Sequence, residues 1–295
     1  MKLFVLLLIV CATSAFAENS EPEIDWSSVK TIQEYSWFWK NKPALIKPAQ
    51  QILNGKRARI VNGNIANPHQ FPYQAGLLFN FAGGTALCGG ALIHARNVLT
   101  AAHCVDEASG GTVILGAHFI RQVETTQQRR TLTRDHIRLH PLWTPSLIQN
   151  DIAVLHLPTA VTPNNAVAVI HLPLNNNEQF ANAAATVSGW GVFDDTIGTS
   201  SDVLRFYRGT ILPQTNCALR FPGVIQPSNI CLSGLNNGGA CSGDSGGPLT
   251  TSVNGVHTHI GVVSFGLALG CELLWPSVFA RTSFYIEWIR ENQIH

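Results

Sequence analysis

Three short stretches of the chain carry residue types that together can do nucleophilic chemistry. They are Leu99-Thr-Ala-Ala-His103-Cys104, Asn150-Asp151-Ile-Ala-Val-Leu155 and Cys241-Ser-Gly-Asp-Ser245-Gly-Gly-Pro248. Splitting an amide by acyl transfer needs a nucleophile, a base to take its proton, and a group that holds the base in its useful tautomer. Ser245, His103 and Asp151 have side chains suited to those roles. The glycines around Ser245 fit the same chemistry. Backbone N–H groups can approach a developing oxyanion only where no side chain intervenes, and glycine also permits unusual φ values.

The three stretches are far apart in sequence, so the fold must bring them together. After Arg59 the chain is a series of short apolar runs: Tyr73–Phe79, Val98–Ala102, Val113–Leu115, Ile152–Leu157, Ala185–Val187, Val203–Phe206 and Ile260–Ser264. Turn signals such as Asn254-Gly255 separate them. Many short strands without a regular helical pattern between them predict an all-β sandwich or barrel. The C-terminus is the exception, where Tyr285, Trp288 and Ile289 recur at helical spacing and predict a helix packed on the barrel.

Composition sets further bounds. Of the 295 residues, 45% are hydrophobic and 13% charged, which suits a sizeable core. The formal net charge of +1 gives no reason to expect a nucleic-acid or membrane partner. Lys2, the apolar run Leu3 to Val10 and Ala15-Phe16-Ala17 read as a secretory signal peptide over residues 1–17. The run is shorter than the ~20 residues a bilayer span needs, so a secreted, extracellular protein is expected. Losing Cys11 with the signal leaves Cys88, Cys104, Cys217, Cys231, Cys241 and Cys271, an even set that reads as disulfides with the pairing open. Zinc is the rival reading of these cysteines, but C-x-x-C spacing is lacking and no metal or other cofactor is expected. His136 with His140 and His257 with His259 are spaced to share a face, yet no added carboxylate or cysteine makes either pair a metal site.

Residues 18–59 differ from the rest. They hold Lys30, Lys40, Lys42, Lys47 and Lys56, the aromatic knot Trp37-Phe38-Trp39, and a basic end, Lys56-Arg57-Ala58-Arg59. Beyond Arg59 the chain has no lysine at all. So abrupt a change at a basic boundary reads as a pro-segment removed by cleavage. The aromatic knot is weighed as an inhibitory segment and as a sticky part of a disordered pro-region, and the second is preferred.

The three stretches, in the order His, Asp, Ser, resemble the chymotrypsin family of serine proteases. The resemblance runs from about Ile60 to the C-terminus and includes Ile60-Val-Asn-Gly63, Cys88-Gly-Gly-Ala91, Ser188-Gly-Trp-Gly191 and Ser264-Phe-Gly266. It implies two six-stranded antiparallel β-barrels with a C-terminal helix and the active site between them. His103 would be general base and then acid, Asp151 would orient it, and Ser245 would attack. The N–H groups of Gly243 and Ser245 would form the oxyanion hole, and Ser264 would support the buried aspartate. The family's disulfides would pair Cys88 with Cys104, Cys217 with Cys231, and Cys241 with Cys271. Cleavage between Arg59 and Ile60 by a trypsin-like protease would free an α-ammonium that inserts beside Asp244.

The same resemblance places Gly239 at the base of the specificity pocket and Gly266 and Ser277 on its walls, with Ser264 beside them. A glycine base lacks the carboxylate that a trypsin-like pocket uses, so cleavage after large hydrophobic or aromatic residues is expected. Ser277 departs from the usual glycine and narrows the pocket. Glu272, near its mouth, is read as a solvated carboxylate. An elastase-like or collagenolytic protease on the same fold is the enzymatic alternative, and a non-catalytic binding homologue the alternative of another class. Some relatives bind calcium near the stretch matching Gly116-Ala117-His118, but no acidic ligand stands at its expected start. A monomer is expected, acting on protein or peptide substrates, with protein protease inhibitors as further partners. Its short pro-segment resembles that of arthropod digestive enzymes.

Overall fold

The computed structural model describes residues 24–40, 42, 63–194, 199–235, 238–266 and 275–295. Two curled, mainly antiparallel sheets make up most of it, each extended by short edge pieces. In spatial order the first sheet holds strands Gln128–Thr133, Gly110–Leu115, Gln74–Phe81, Gly84–His94, Asn97–Thr100, Ala153–His156 and Ile137–Leu139. The second runs Asn229–Leu232, Ser277–Arg281, Val256–Phe265, Pro248–Val253, Ala184–Gly189, Arg205–Thr210 and Asn64–Ile65. One apolar cluster centred on Leu77, Leu92, Leu99 and Val154 fills the first sheet, and another on Val187, Leu249, Ile260 and Phe279 fills the second.

Local chemistry explains the joins. Asn254 and Gly255 have φ of 50° and 82°, the pair of left-handed residues that a two-residue hairpin turn needs between Pro248–Val253 and Val256–Phe265. The two sheets meet where Gly89 faces Gly247; a Cβ on Gly89 would lie 2.8 Å from the Gly247 Cα. The C-terminal helix Ile286–Glu291 follows the second sheet but buries Tyr285 and Ile289 in the first sheet's cluster. Asn97 fixes the tail beyond it, donating to the Ile294 carbonyl at 2.7 Å and accepting its N–H at 3.0 Å.

The sequence pattern does not mark the strand Gln128–Thr133, whose side chains are mostly polar and half-exposed, or the helix Gln214–Arg220, which is too short to establish a period. Disulfides join Cys88 to Cys104 and Cys217 to Cys231. Cys241 is also disulfide-bonded, and Cys271 lies outside the described residues.

Candidate active site

His103 sits in a single 3-10 turn, Ala102–Cys104, at the end of strand Asn97–Thr100. Asp151 lies two residues before strand Ala153–His156, and the antiparallel register pairs Thr100 with Ala153. That register delivers the histidine and the aspartate to the same end of the sheet. The Asp151 carboxylate takes the His103 backbone N–H on Oδ1 at 2.9 Å and faces His103 Nδ1 from Oδ2 at 2.7 Å. Ser264, near the end of strand Val256–Phe265, donates its hydroxyl to Asp151 Oδ2 at 2.5 Å. Burial alone would push the Asp151 carboxyl up. The facing His103 and the hydrogen bonds from His103 and Ser264 outweigh it and hold the group below the ordinary carboxylate range.

Ser245 belongs to the tight loop Cys241–Gly247. Gly243 there has a φ of 95°, a left-handed conformation that would strain any residue with a Cβ. The loop is held by Gly246 N–H to the Val263 carbonyl at 2.9 Å and by Gly89 N–H to the Ser245 carbonyl at 2.7 Å. The Gly89 bond ties the serine to the first sheet. Ser245 and His103 are both buried, with 1% and 3% of their surfaces exposed. Among the described residues His103 Nε2 has no hydrogen-bond partner, and Ser245 Oγ is held from elsewhere.

Beside the nucleophile, Asp244 is a second buried carboxylate. It accepts the Gly191 N–H at 2.8 Å and the Cys241 N–H at 3.0 Å. Burial pushes it up to about 6, against the pull of those two bonds. This accounts physically for Ser188-Gly-Trp-Gly191. A Cβ on Gly189 or Gly191 would run into the Asp244 carboxyl, while Trp190 fills the core and donates to the His118 carbonyl at 3.1 Å.

At the predicted specificity pocket, Ser277 Oγ accepts the Ala240 N–H at 3.0 Å and would lie 2.5 Å from a Cβ on Gly239. It therefore occupies space at the pocket base. Among the described residues, a Cβ on Gly266 would meet nothing within 4 Å. Arg59, Ile60 and Glu272 lie outside the described residues.

Residues 24–40 and 42 contain the residues that the sequence reading missed. The aromatic knot is not the disordered stretch preferred above: it is folded and docked, because its rings have an apolar surface to cover. Lys30–Thr31 pairs in parallel with Ala86–Leu87, Ile32–Glu34 forms a 3-10 turn, and Ser36–Trp39 forms one turn of helix. Ile32, Tyr35 and Phe38 are buried in the first sheet's cluster. Phe38 meets the His103 ring edge-on at 5.5 Å, and Gln33 Nε2 donates to Ser245 Oγ at 2.6 Å. Lys42 Nζ stands 5.0 Å from the ring centres of both Phe38 and Trp143 and donates to the Pro145 carbonyl at 3.2 Å. The Trp-Phe-Trp run was a visible signal of this docking. Nothing about a lone glutamine marked Gln33.

The set-aside histidines have local partners. His136 Nδ1 accepts the Thr133 N–H at 3.1 Å, His140 packs on Tyr285 and Trp288, and His259 faces Thr282 Oγ1 at 2.8 Å. Burial pushes His259 down to about 3, so its ring is neutral. In the stretch after Gly116, Glu124 accepts the N–H groups of His118 and Phe119 at 2.7 and 2.9 Å.

Comparison with known proteins agrees with this geometry. Residues 60–289 match the family model described as Trypsin. Brachyurin of Leptuca pugilator is 38% identical over 78% of this chain and 97% of its own length. Chymotrypsin of Phaedon cochleariae is 36% identical over 85% of this chain and 88% of its own. The solved structure of HL collagenase superposes with a TM-score of 0.71 at 35% identity, covering 79% of this chain and 97% of that one. A hydrogen-bonded pair of His103 and Asp151, a serine in a loop with left-handed glycines and these matches have one common account: the chain belongs to the trypsin family of chymotrypsin-like serine proteases, enzymes that act on proteins.

Proposed function

We propose that the chain is the precursor of a secreted serine endopeptidase in which Ser245 is the nucleophile, His103 the general base and acid, and Asp151 the group that orients it. The observation that carries this reading is the Asp151 carboxylate bonded to both the ring and the backbone of His103, in the cleft that also holds Ser245 Oγ. An ionised Asp151 fixes the Nδ1–H tautomer and leaves Nε2 to take the serine proton. The N–H groups of Gly243 and Ser245 then stabilise the oxyanion, where one donor contributes ~2.7–4 kcal/mol to lowering the barrier.

Activation follows cleavage after Arg59. The family match begins at Ile60, which supports that boundary. The new Ile60 ammonium would neutralise Asp244, a buried carboxylate with no ion-pair partner among the described residues. The N-terminal residues 1–17 and the disulfides support export, and no helix among the described residues is long and apolar enough to cross a membrane. Gly239 and Gly266, neither of which projects a side chain into the predicted pocket, favour cleavage after large hydrophobic or aromatic residues, as part of digestion. Ser277 at the pocket base favours a shallower site, and with the HL collagenase likeness it supports a collagenolytic preference as the second reading.

The test is labelling with a fluorophosphonate, which reacts only with an activated serine. Precursor cut after Arg59 and freed of its pro-segment should label, and Ser245→Ala should not. Equal labelling of the two proteins would reject Ser245 as the nucleophile.

A further inference from the structure

The docked pro-segment blocks the cleft in a way that the ammonium switch does not require. With residues 24–40 and 42 in place, neither Ser245 nor His103 is reachable. Gln33 Nε2 holds the serine hydroxyl, Phe38 covers the His103 ring, and Thr31 Cγ2 would lie 3.1 Å from a Cβ on Gly243. One element therefore covers the nucleophile, the base and the oxyanion loop together.

The segment is also built so that it is not cut. It offers Ser245 a side-chain amide, while its backbone turns into a 3-10 helix at the point where it passes the serine. Thr31 and Glu34 fix that turn: Glu34 Oε2 accepts the Thr31 N–H at 2.7 Å and its hydroxyl at 3.0 Å. The Gln33 carbonyl oxygen accepts Trp39 Nε1–H at 2.8 Å, a further tie that holds the turn in place. Away from the serine, Tyr35 donates to the Thr85 carbonyl at 3.1 Å and the Trp37 ring packs tilted against Phe81 at 5.0 Å. The docking surface thus spans strand Gly84–His94, its hairpin and the cleft.

We infer that residues 24–42 are an inhibitor built into the precursor, filling the cleft in cis before cleavage and remaining a competitive, dissociable ligand of it afterwards. This rests on the reading of Ser245 and His103 as catalytic. None of the six cysteines of the exported chain lies in residues 18–59, so no disulfide retains the segment once Arg59 is cut. Cleavage then converts a tethered ligand, at millimolar effective concentration, into a free one that dilution removes. The distribution of lysine adds a means of disposal. Lys30, Lys40 and Lys42 lie within the docked stretch, and residues 60–295 contain no lysine, so a lysine-specific protease can destroy the inhibitor without a site in the enzyme.

That asymmetry provides the experiment. The full-length precursor is cleaved after Arg59 with an arginine-specific protease and assayed at micromolar concentration on a lysine-free chromogenic peptide. A lysine-specific protease is then added. We expect activity to rise at least tenfold at that step, the rise to vanish when the mixture is first diluted a thousandfold, and the residual inhibition before it to raise KM with kcat unchanged. Phe38→Ala should shrink the rise several-fold; the mature chains of the two precursors are identical, so the difference belongs to the segment. A cleaved mixture already at full activity, with no response to lysine-specific cleavage or dilution, would overturn the inference and leave the catalytic reading intact. Absence of fluorophosphonate labelling after the segment is destroyed would reject the catalytic reading itself.

Discussion

Asp151 and Asp244 are both 2% exposed, lie in the same cleft and titrate in opposite directions. Asp151 is surrounded by the ring and backbone of His103 and the hydroxyl of Ser264, whereas Asp244 has two backbone N–H groups and no cation among the described residues. Burial penalises both charges about equally, so the partners decide the sign. The Asp151 region is finished by folding alone. The Asp244 region is folded but electrostatically incomplete, which is the condition expected of a part that a later event must finish.

The largest effect should come from breaking the complete side. Asp151→Asn keeps the shape but removes the charge and the acceptor that set the His103 tautomer. In a related triad this change costs ~10⁴ in kcat, and we expect a loss of that order in the mature enzyme, measured by steady-state kinetics after removal of the pro-segment. A loss under tenfold would mean that His103 is not oriented by Asp151.

The next effect tests the incomplete side through pH. With its pKa raised to about 6 from 3.8, folded Asp244 keeps a proton that the unfolded chain has lost, so its contribution to stability falls as pH rises through that window. The span corresponds to about 3 kcal/mol. In an Arg59→Gln precursor, which cannot form the Ile60 ammonium, adding Asp244→Asn should make the variant gain on its parent by up to that amount between about pH 4 and pH 7, read as diverging Tm values. Asp151 works the other way. Its depressed pKa gives stability that is present above the unfolded value and is lost only as pH falls through the folded one. Parallel melting curves for the two precursors would show that Asp244 is already neutralised before cleavage.

The same contrast separates what could be read from sequence from what could not. The short apolar runs and the Asn254-Gly255 turn were legible because their signals are local, and strand Ala153–His156 lies inside the run Ile152–Leu157. His103, Asp151 and Ser245 were identifiable as chemistry because their neighbours restrict what they can do. The polar strand Gln128–Thr133 was not legible; its ladder bonds are backbone bonds that leave little trace in side-chain type. Gln33 was invisible for a stronger reason. Its contact with Ser245 spans 212 positions and depends on how Trp37, Phe38 and Trp39 seat the segment, so only the assembled surface reveals it. The lysine boundary showed that residues 18–59 were different but not that residues 24–40 within them were folded.

The smallest effect concerns Ser277, which touches the Asp244 side of the cleft and not the Asp151 side. Its hydroxyl accepts the Ala240 N–H, one residue before the Cys241 N–H that bonds Asp244, and it stands over Gly239. Ser277→Gly removes the hydroxymethyl group from the pocket base and should deepen it by about one heavy-atom layer. One methylene's difference in such a pocket is worth ~1–3 kcal/mol at most, and part is lost here because the Ala240 N–H gives up its acceptor. We therefore expect the kcat/KM ratio of Trp or Tyr over Leu substrates to rise several-fold, with the pH dependence of kcat unchanged because the His103–Asp151 pair is untouched. A pH profile that moved while the substrate ratio stayed fixed would place Ser277 on the wrong side of the comparison. It would also show that the two halves of the cleft are coupled through the backbone between Ala240 and Ser245.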